Sequence, residues 1–297
     1  MSPPPAGEAA EQKARRDIVE VIRRVYARGW IAASDGNVSA LLTPDRVLAT
    51  PTGIHKGSIT EDDLIVVDRS GRRLSGSRAP SSELLMHLAA YDERPDVRGV
   101  VHAHPTNCIA FSLAGVSLAQ CLLPEIVFTF GSIPTTAYTT PTTEEVPREI
   151  RKWLRDFDAM ILDRHGSLTV GASVFDAYDK LERMEHVAEI TFRARMLGPI
   201  KPLAPAQIAH LQAVGRGLGL PERKILPVTM GAPVGAAPTS APKPPSPCES
   251  CNACPAGTLG APSPSPTPRQ QPRPEVDVDD LVRRVSASVG EAIGRRR

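Results

Sequence analysis

Gly99-Val100-Val101-His102-Ala103-His104 is the segment on which the fold and the chemistry both turn. Small and β-branched residues lead into an alternating His-Ala-His, so it reads as a buried strand. Side chains two apart on a strand share one face, which puts two imidazoles where one cation can reach both. Outward from it lie further short β-type runs: Val38 to Leu42, Val47 to Thr50 and Leu64 to Val67 before it, Ala159 to Leu162 and Ser167 to Val170 after it. Turn residues such as Thr43-Pro44-Asp45 and Ser70-Gly71 separate the first three, marking them as antiparallel neighbours. Helical spacing appears at Ile18, Val21, Ile22 and Val25 within Glu8 to Gly29, with Gly29 as terminator. It recurs at Leu84, Leu85, Leu88 and Ala89, between a Ser81 or Ser82 cap and Pro95, and again over Thr143 to Phe157 and Ser173 to Leu197. Thr106 is placed to cap a short helix to about Ala114. Helices that interrupt and follow short strands imply a three-layer α/β/α domain with a mixed, largely antiparallel sheet.

Composition bounds the rest. Nearly half of the 30 prolines fall between Pro227 and Pro274. The expected order is therefore a flexible stretch over 1–8, a folded domain over 9–226, a Pro-rich disordered linker over 227–274 and a terminal segment over 275–297. A formal net charge of +2 supplies no basic field to gather nucleic acid. The most apolar run, Cys108 to Phe128, is broken by Ser112, Gly115, Ser117, Gln120, Pro124 and Glu125, and falls short of the roughly 18 apolar residues of a membrane span. Before Asp17 there is no apolar segment of signal-peptide type, and five cysteines, an odd number, suit a reducing compartment. Both features read as cytosolic. Cys108 and Cys121 lie in apolar sequence and read as core residues.

A third histidine, His165, follows the strand Met160-Ile161-Leu162 and precedes Gly166, where the backbone is expected to turn sharply. Glu83 stands at a predicted helix start. Three His and one oxygen ligand compose a catalytic zinc site able to open a coordination position. Spacing alone leaves other readings open: a hydrogen-bonded His pair, and for Glu83 a solvated first-turn carboxylate.

Five motifs in order carry a resemblance: Asp35-Gly36-Asn37-Val38-Ser39, Thr50-Pro51-Thr52-Gly53-Ile54, Pro80-Ser81-Ser82-Glu83, Val101-His102-Ala103-His104 and Arg164-His165-Gly166. Over about Ala9 to Leu220 the chain resembles the class II aldolase/adducin family, particularly its L-fuculose-phosphate aldolases. That resemblance implies that His102, His104 and His165 bind Zn²⁺, with Glu83 as fourth ligand in the resting site and as the base in turnover. It likewise implies that Asn37, Thr52, Gly53, Ser81 and Ser82 hold the substrate phosphate, for which free amides at a helix N-terminus are suited. The expected reaction is retro-aldol cleavage of a ketose 1-phosphate to dihydroxyacetone phosphate and a short aldehyde such as L-lactaldehyde, in a homotetramer with sites between subunits. The scaffold also hosts sugar-acid phosphate decarboxylases and pentulose-phosphate 4-epimerases, while adducin heads are binding modules lacking the metal histidines.

The match departs in two places, of which one is the C-terminal aromatic of the family, not evident after Gly217-Leu218-Gly219. Fuculose-phosphate aldolases supply an acid–base Tyr from a neighbouring subunit, whereas Leu122-Leu123-Pro124-Glu125-Ile126 contains none. Glu125 is the nearest replacement and Tyr138 the second candidate. In the tail, Cys248, Cys251 and Cys254 resemble part of a ferredoxin-type run without its fourth Cys. Leu281, Val282, Val285, Val289 and Ile293 form one apolar stripe, flanked by Asp277, Asp279 and Asp280 and by Arg295 to Arg297. Such a tethered helix resembles the encapsulation peptides of bacterial microcompartment enzymes. It implies shell proteins as partners through 278–297 and the compartment lumen as location; a membrane-surface helix is the competing reading.

Overall fold

The computed structural model describes residues 6–227 of the chain. Helix α1 (Ala6–Ala27) buries Ile18, Val21, Ile22 and Val25, the stripe expected from sequence. It ends in paired hydrogen bonds from Gly29 N–H to the Tyr26 carbonyl (2.9 Å) and from Trp30 N–H to the Val25 carbonyl (3.1 Å). Gly29 takes φ 71°, the left-handed backbone this helix ending requires. Strands β1 (Asn37–Thr43), β2 (Arg46–Ala49), β3 (Ile65–Val67) and β4 (Arg73–Ser75) follow, then α2 (Leu84–Glu93), β5 (Gly99–Ala103), α3 (Thr106–Leu113) and α4 (Pro124–Thr129). The domain closes with α5 (Glu145–Leu154), β6 (Ala159–Leu162), β7 (Gly166–Gly171), α6 (Val174–Leu197) and α7 (Pro205–Gly217).

The seven strands form one sheet in the order β4-β3-β2-β1-β5-β7-β6, antiparallel at every strand pair. A parallel contact occurs at the bridge between Thr135 and Ile161. Alternation splits the core into two layers. Val38, Val101 and Ile161 pack with α1, α3 and α6, while Val100, Met160 and Leu162 pack with α2 and α5. The three-layer expectation holds, and the described residues contain no helix long and apolar enough to cross a membrane. Cys108 and Cys121 are both buried.

Thr106 is not a cap. It opens α3 with no side-chain cap bond, and the Glu185 carboxylate of α6 instead accepts from Asn107 N–H (2.8 Å) and Cys108 N–H (3.0 Å). A carboxylate offers two acceptors to the free amides of a helix start, where one hydroxyl offers less. The Pro-rich linker beyond residue 227, Cys248, Cys251 and Cys254, the helix over 275–297 and its reading as a shell-docking peptide lie outside the described residues.

Asp158, buried before β6, meets Lys180 Nζ at 3.1 Å, Arg223 Nη1 at 2.8 Å and Arg94 Nη2 at 3.0 Å, the last as an ion pair without hydrogen-bond alignment. One carboxylate thus joins α6, the end of α2 and the segment after α7. Its removal would take the carboxylate partner from Arg223 and leave Arg94 to Asp96 and the buried Lys180 to Asp176. Asp158→Ala is expected to cost about 3–5 kcal/mol in urea denaturation; a loss comparable to that of a surface pair, below about 1 kcal/mol, would show that the network contributes little.

Candidate metal centre

Antiparallel pairing brings three strand ends to one edge of the sheet. Asn37 at the start of β1 pairs with His102 near the end of β5, and Ala103 pairs with Ser167 near the start of β7. Since Val38, Ala40, Val101 and Ala103 face the α1 layer, period-two alternation turns Asn37, Ser39 and His102 toward α2. His104 lies just beyond β5, where its N–H donates to the Trp30 carbonyl at 2.7 Å. The Gly29 turn thereby sets the position of a candidate ligand.

His165 arrives through the tight connection from β6 to β7. The left-handed residue there is Arg164, with φ 57°, held by a bond from its N–H to Ser112 Oγ at 3.0 Å. Gly166, expected to make the turn, is instead a strand residue. Its requirement is space. A Cβ there would lie 2.5 Å from the Ala103 carbonyl oxygen, 2.8 Å from His104 Cδ2 and 3.0 Å from His102 Cε1.

The three imidazoles stand with ring centroids 5.0, 4.9 and 5.3 Å apart. His102 Nε2 lies 3.1 Å from His104 Nε2; Glu83 Oε1 lies 3.0 Å from His165 Nε2 and 3.6 Å from His102 Nε2. One ligand atom from each of the four residues falls within 4.8 Å of the others. Ligands at about 2.0–2.1 Å in a tetrahedron stand roughly 3.4 Å apart, so these separations fit a small four-coordinate cation. His102 Nδ1 is 2.8 Å from the Ser167 carbonyl, which can only accept. Nδ1 therefore carries the proton and Nε2 presents its lone pair inward. Burial, then the neighbouring His102 and His165, push His104 down to about 3. Burial would raise the Glu83 carboxyl, but hydrogen bonds and charge from His102 and His165 outweigh it and hold it well below the usual carboxylate range. The donor set is thus one carboxylate, the inward Nε2 of His102, a neutral His104 and His165 Nε2 facing Glu83 Oε1.

The bridge between Pro51 and Pro80, with the Thr52 N–H donating to the Ala79 carbonyl at 3.1 Å, brings Thr52 and Gly53 beside Ser81 and Ser82. Ser81 Oγ accepts from Glu83 N–H at 3.2 Å at the start of α2. Asn37 is buried and already engaged: its Nδ2 donates to Glu83 Oε2 at 2.7 Å and its Oδ1 faces His87 Nε2. Lys56 stands behind these loops, buried, with Nζ donating to the Ser34 (2.7 Å) and Ile54 (3.2 Å) carbonyls. Burial lowers its pKa against the opposing pull of Asp35 and Glu83.

Glu125 lies in the first turn of α4, in a groove with Leu123, Phe128, Arg183 and His186, and Tyr138 is 61% exposed. Among the described residues neither bonds to the four-residue cluster. Sequence reasoning missed Lys56, and also Ser39, His87 and Tyr91. The last two follow Glu83 at four-residue intervals, and Ser39 follows Asn37 by two on the same strand face, so helical and strand periods were the available signals.

The profile of the Class II Aldolase and Adducin N-terminal domain matches residues 16–192. The chain belongs to the class II aldolase and adducin family. It is 32% identical to the 3-oxo-tetronate 4-phosphate decarboxylase of Escherichia coli (strain K12) over 209 residues, covering 68% of this chain and 97% of that protein. It is 34% identical to the L-fuculose phosphate aldolase of Methanococcus vannielii over 175 residues, covering 59% of this chain and 93% of that one. The crystal structure of YgbL from Escherichia coli superimposes with a TM-score of 0.63 at 32% identity, over 68% of this chain and 98% of that chain.

Two expectations follow from the site. Gly166→Ala should weaken Zn²⁺ binding about 10–100-fold in a chelator competition, because the added methyl presses on the Ala103 carbonyl and displaces two imidazoles together; unchanged affinity would show that the cluster tolerates the shift. Burial, with charge from His102 and only partial relief from Glu83, pushes His87 from 6.5 to about 3. A depressed histidine lets the unfolded chain take up the proton first. Stability of metal-stripped protein should therefore fall as pH drops below about 6.5, by about 1.4 kcal/mol per pH unit from this group. Urea denaturation between pH 7 and 5 measures the slope, which His87→Gln should flatten by that amount.

Proposed function

We propose that this chain is a zinc-dependent carbon–carbon lyase that decarboxylates a sugar-acid phosphate of the 3-oxo-tetronate 4-phosphate type. The observation supporting it is the convergence of Glu83, His102, His104 and His165 beside the Thr52-Gly53 and Ser81-Ser82 loops, together with the similarity to the Escherichia coli decarboxylase. Three nitrogens and one oxygen at these separations suit zinc. When bound, the cation supplies Lewis-acid polarisation of the substrate carbonyl. The loops and the start of α2 receive the phosphate, and the buried Lys56 adds positive potential behind them. Loss of the carboxylate as CO₂ breaks the C1–C2 bond and leaves its electron pair on C2 as an enolate. Glu83 delivers to C2 a proton taken from solvent, and the product is dihydroxyacetone phosphate.

The second reading is retro-aldol cleavage of L-fuculose 1-phosphate or a near relative, favoured by the similarity to the Methanococcus aldolase. It needs one group more. The hydroxyl on the departing carbon must lose a proton, and in this chain Glu125, open at the start of α4, is the residue offered to a neighbouring copy in the tetramer. Tyr138, exposed, is the alternative. Decarboxylation requires no such base, because the leaving group is already a carboxylate.

Product analysis of the zinc-loaded chain decides between them. CO₂ with dihydroxyacetone phosphate from 3-oxo-tetronate 4-phosphate is expected, at higher kcat/KM than lactaldehyde release from L-fuculose 1-phosphate. The reverse order would select the aldolase reading, and an epimer as the only product would sink both. Glu83→Gln should retain zinc on the three histidines while lowering kcat about 10²–10⁴-fold, since an amide cannot carry the proton.

A further inference from the structure

Behind the metal centre a line of buried polar groups runs into the core between the sheet and α2. Tyr91 Oη lies 2.8 Å from Ser39 Oγ, Ser39 Oγ 2.7 Å from His87 Nδ1, and His87 Nε2 2.5 Å from Asn37 Oδ1. Asn37 Nδ2 then donates to Glu83 Oε2 at 2.7 Å, leaving Oε1 facing His165 and His102. Ser39 and His87 have no solvent exposure and Tyr91 only 4%. Buried polar groups are costly unless paired, so each member of this line must find a donor or an acceptor in its neighbour.

Only one assignment of donors satisfies every link. An ionised Glu83 can only accept, which forces the Asn37 amide to present Nδ2 to it and Oδ1 to His87. Oδ1 can only accept, so His87 carries its proton on Nε2. Burial keeps this imidazole neutral, so Nδ1 accepts from the Ser39 hydroxyl, and Ser39 Oγ in turn accepts from Tyr91, whose phenol burial holds in its protonated form. Each proton points toward Glu83. An asparagine amide is nearly isosteric with its flipped form, and flipping would set Oδ1 against the carboxylate. What prevents the flip is the Nε2–H of His87, itself fixed by Ser39.

We infer that Ser39, His87 and Tyr91 are positioning residues that lock the Asn37 amide and, through it, hold the Glu83 carboxylate with Oε1 turned to the metal centre. The inference rests on Glu83 being the metal-site base, as proposed above. Among the described residues none of the three hydrogen-bonds to the cluster. They act through Asn37, and their effect must vanish when Glu83 no longer discriminates between the two orientations of that amide.

The test is a double-mutant cycle read by zinc affinity, which needs no substrate. In the otherwise native chain, Ser39→Ala should weaken Zn²⁺ binding about 10-fold by chelator competition and lower kcat about 10-fold, with KM within about two-fold. Tyr91→Phe, which removes one hydroxyl, should follow in the same direction with a smaller loss. In the Glu83→Gln background the glutamine amide accepts either Asn37 orientation, and Ser39→Ala should change zinc affinity by less than about two-fold. Equal losses in both backgrounds would mark a general packing defect and overturn the inference, as would wild-type zinc affinity in both Ser39→Ala and Tyr91→Phe. If the native chain turns over neither substrate, the functional reading fails; the affinity cycle still decides the positioning role.

Discussion

The constraint on which the site depends is a crowd of acceptors. His102 gives its Nδ1 proton to the Ser167 carbonyl, so its Nε2 lone pair is aimed at His104 Nε2, 3.1 Å away, with the Glu83 carboxylate 3.6 Å off on another side. Lone pairs and a carboxylate held that close repel one another unless a proton or cation lies between them. The protein makes the crowding unavoidable: Gly166 removes the one Cβ that would spread the rings, and Trp30 pins the backbone of His104. Favourable energy elsewhere in the fold must hold this arrangement. The two apolar layers supply it, with Val38 and Val101 packed to one side of the sheet and Val100 and Leu168 to the other.

Antiparallel order explains why residues so distant in sequence meet. Where neighbouring strands run in opposite directions, the start of one lies beside the end of the next. The starts of β1 and β7 therefore flank the end of β5 at a single edge. The connection before α2 ends at that same edge, which brings Glu83 and the Ser81-Ser82 pair over it. A parallel sheet would have placed crossovers between these ends and separated Asn37 from His102.

Much of this was legible in the sequence, because it depends on periods of two and 3.6. The buried stripe of α1, the strand His102 belongs to and the helix beginning after Glu83 are all periodic signals, and the layered class follows from their order. The family resemblance implied the convergence of His165 and Glu83, which no local spacing contains. What stayed hidden was of a different kind. The true turn residue is Arg164 and not Gly166, because a backbone bond to Ser112 on another element supports the left-handed conformation. The cap of α3 is Glu185, some 78 residues away, and the short helix α4 and the longer α7 lie in regions rich in proline and glycine. Long-range partners of polar groups leave no trace in a local pattern.

Asn37 shows how tightly the two halves of the site are joined. The resemblance assigns it to the substrate phosphate, yet its Oδ1 faces His87 and one proton of its Nδ2 is spent on Glu83. A single N–H remains for an incoming anion. An oxyanion that takes that hydrogen bond favours the same amide orientation that the Glu83 carboxylate demands, since both are acceptors. On the proposed function, phosphate binding and the alignment of Glu83 reinforce each other through one side chain. A positively charged side chain at this position would hold phosphate more strongly, but it would also neutralise the carboxylate proposed as the base. A neutral amide avoids that conflict, and the buried Lys56, bonded among the described residues to the Ser34 and Ile54 carbonyls, carries its charge without a hydrogen bond to Glu83.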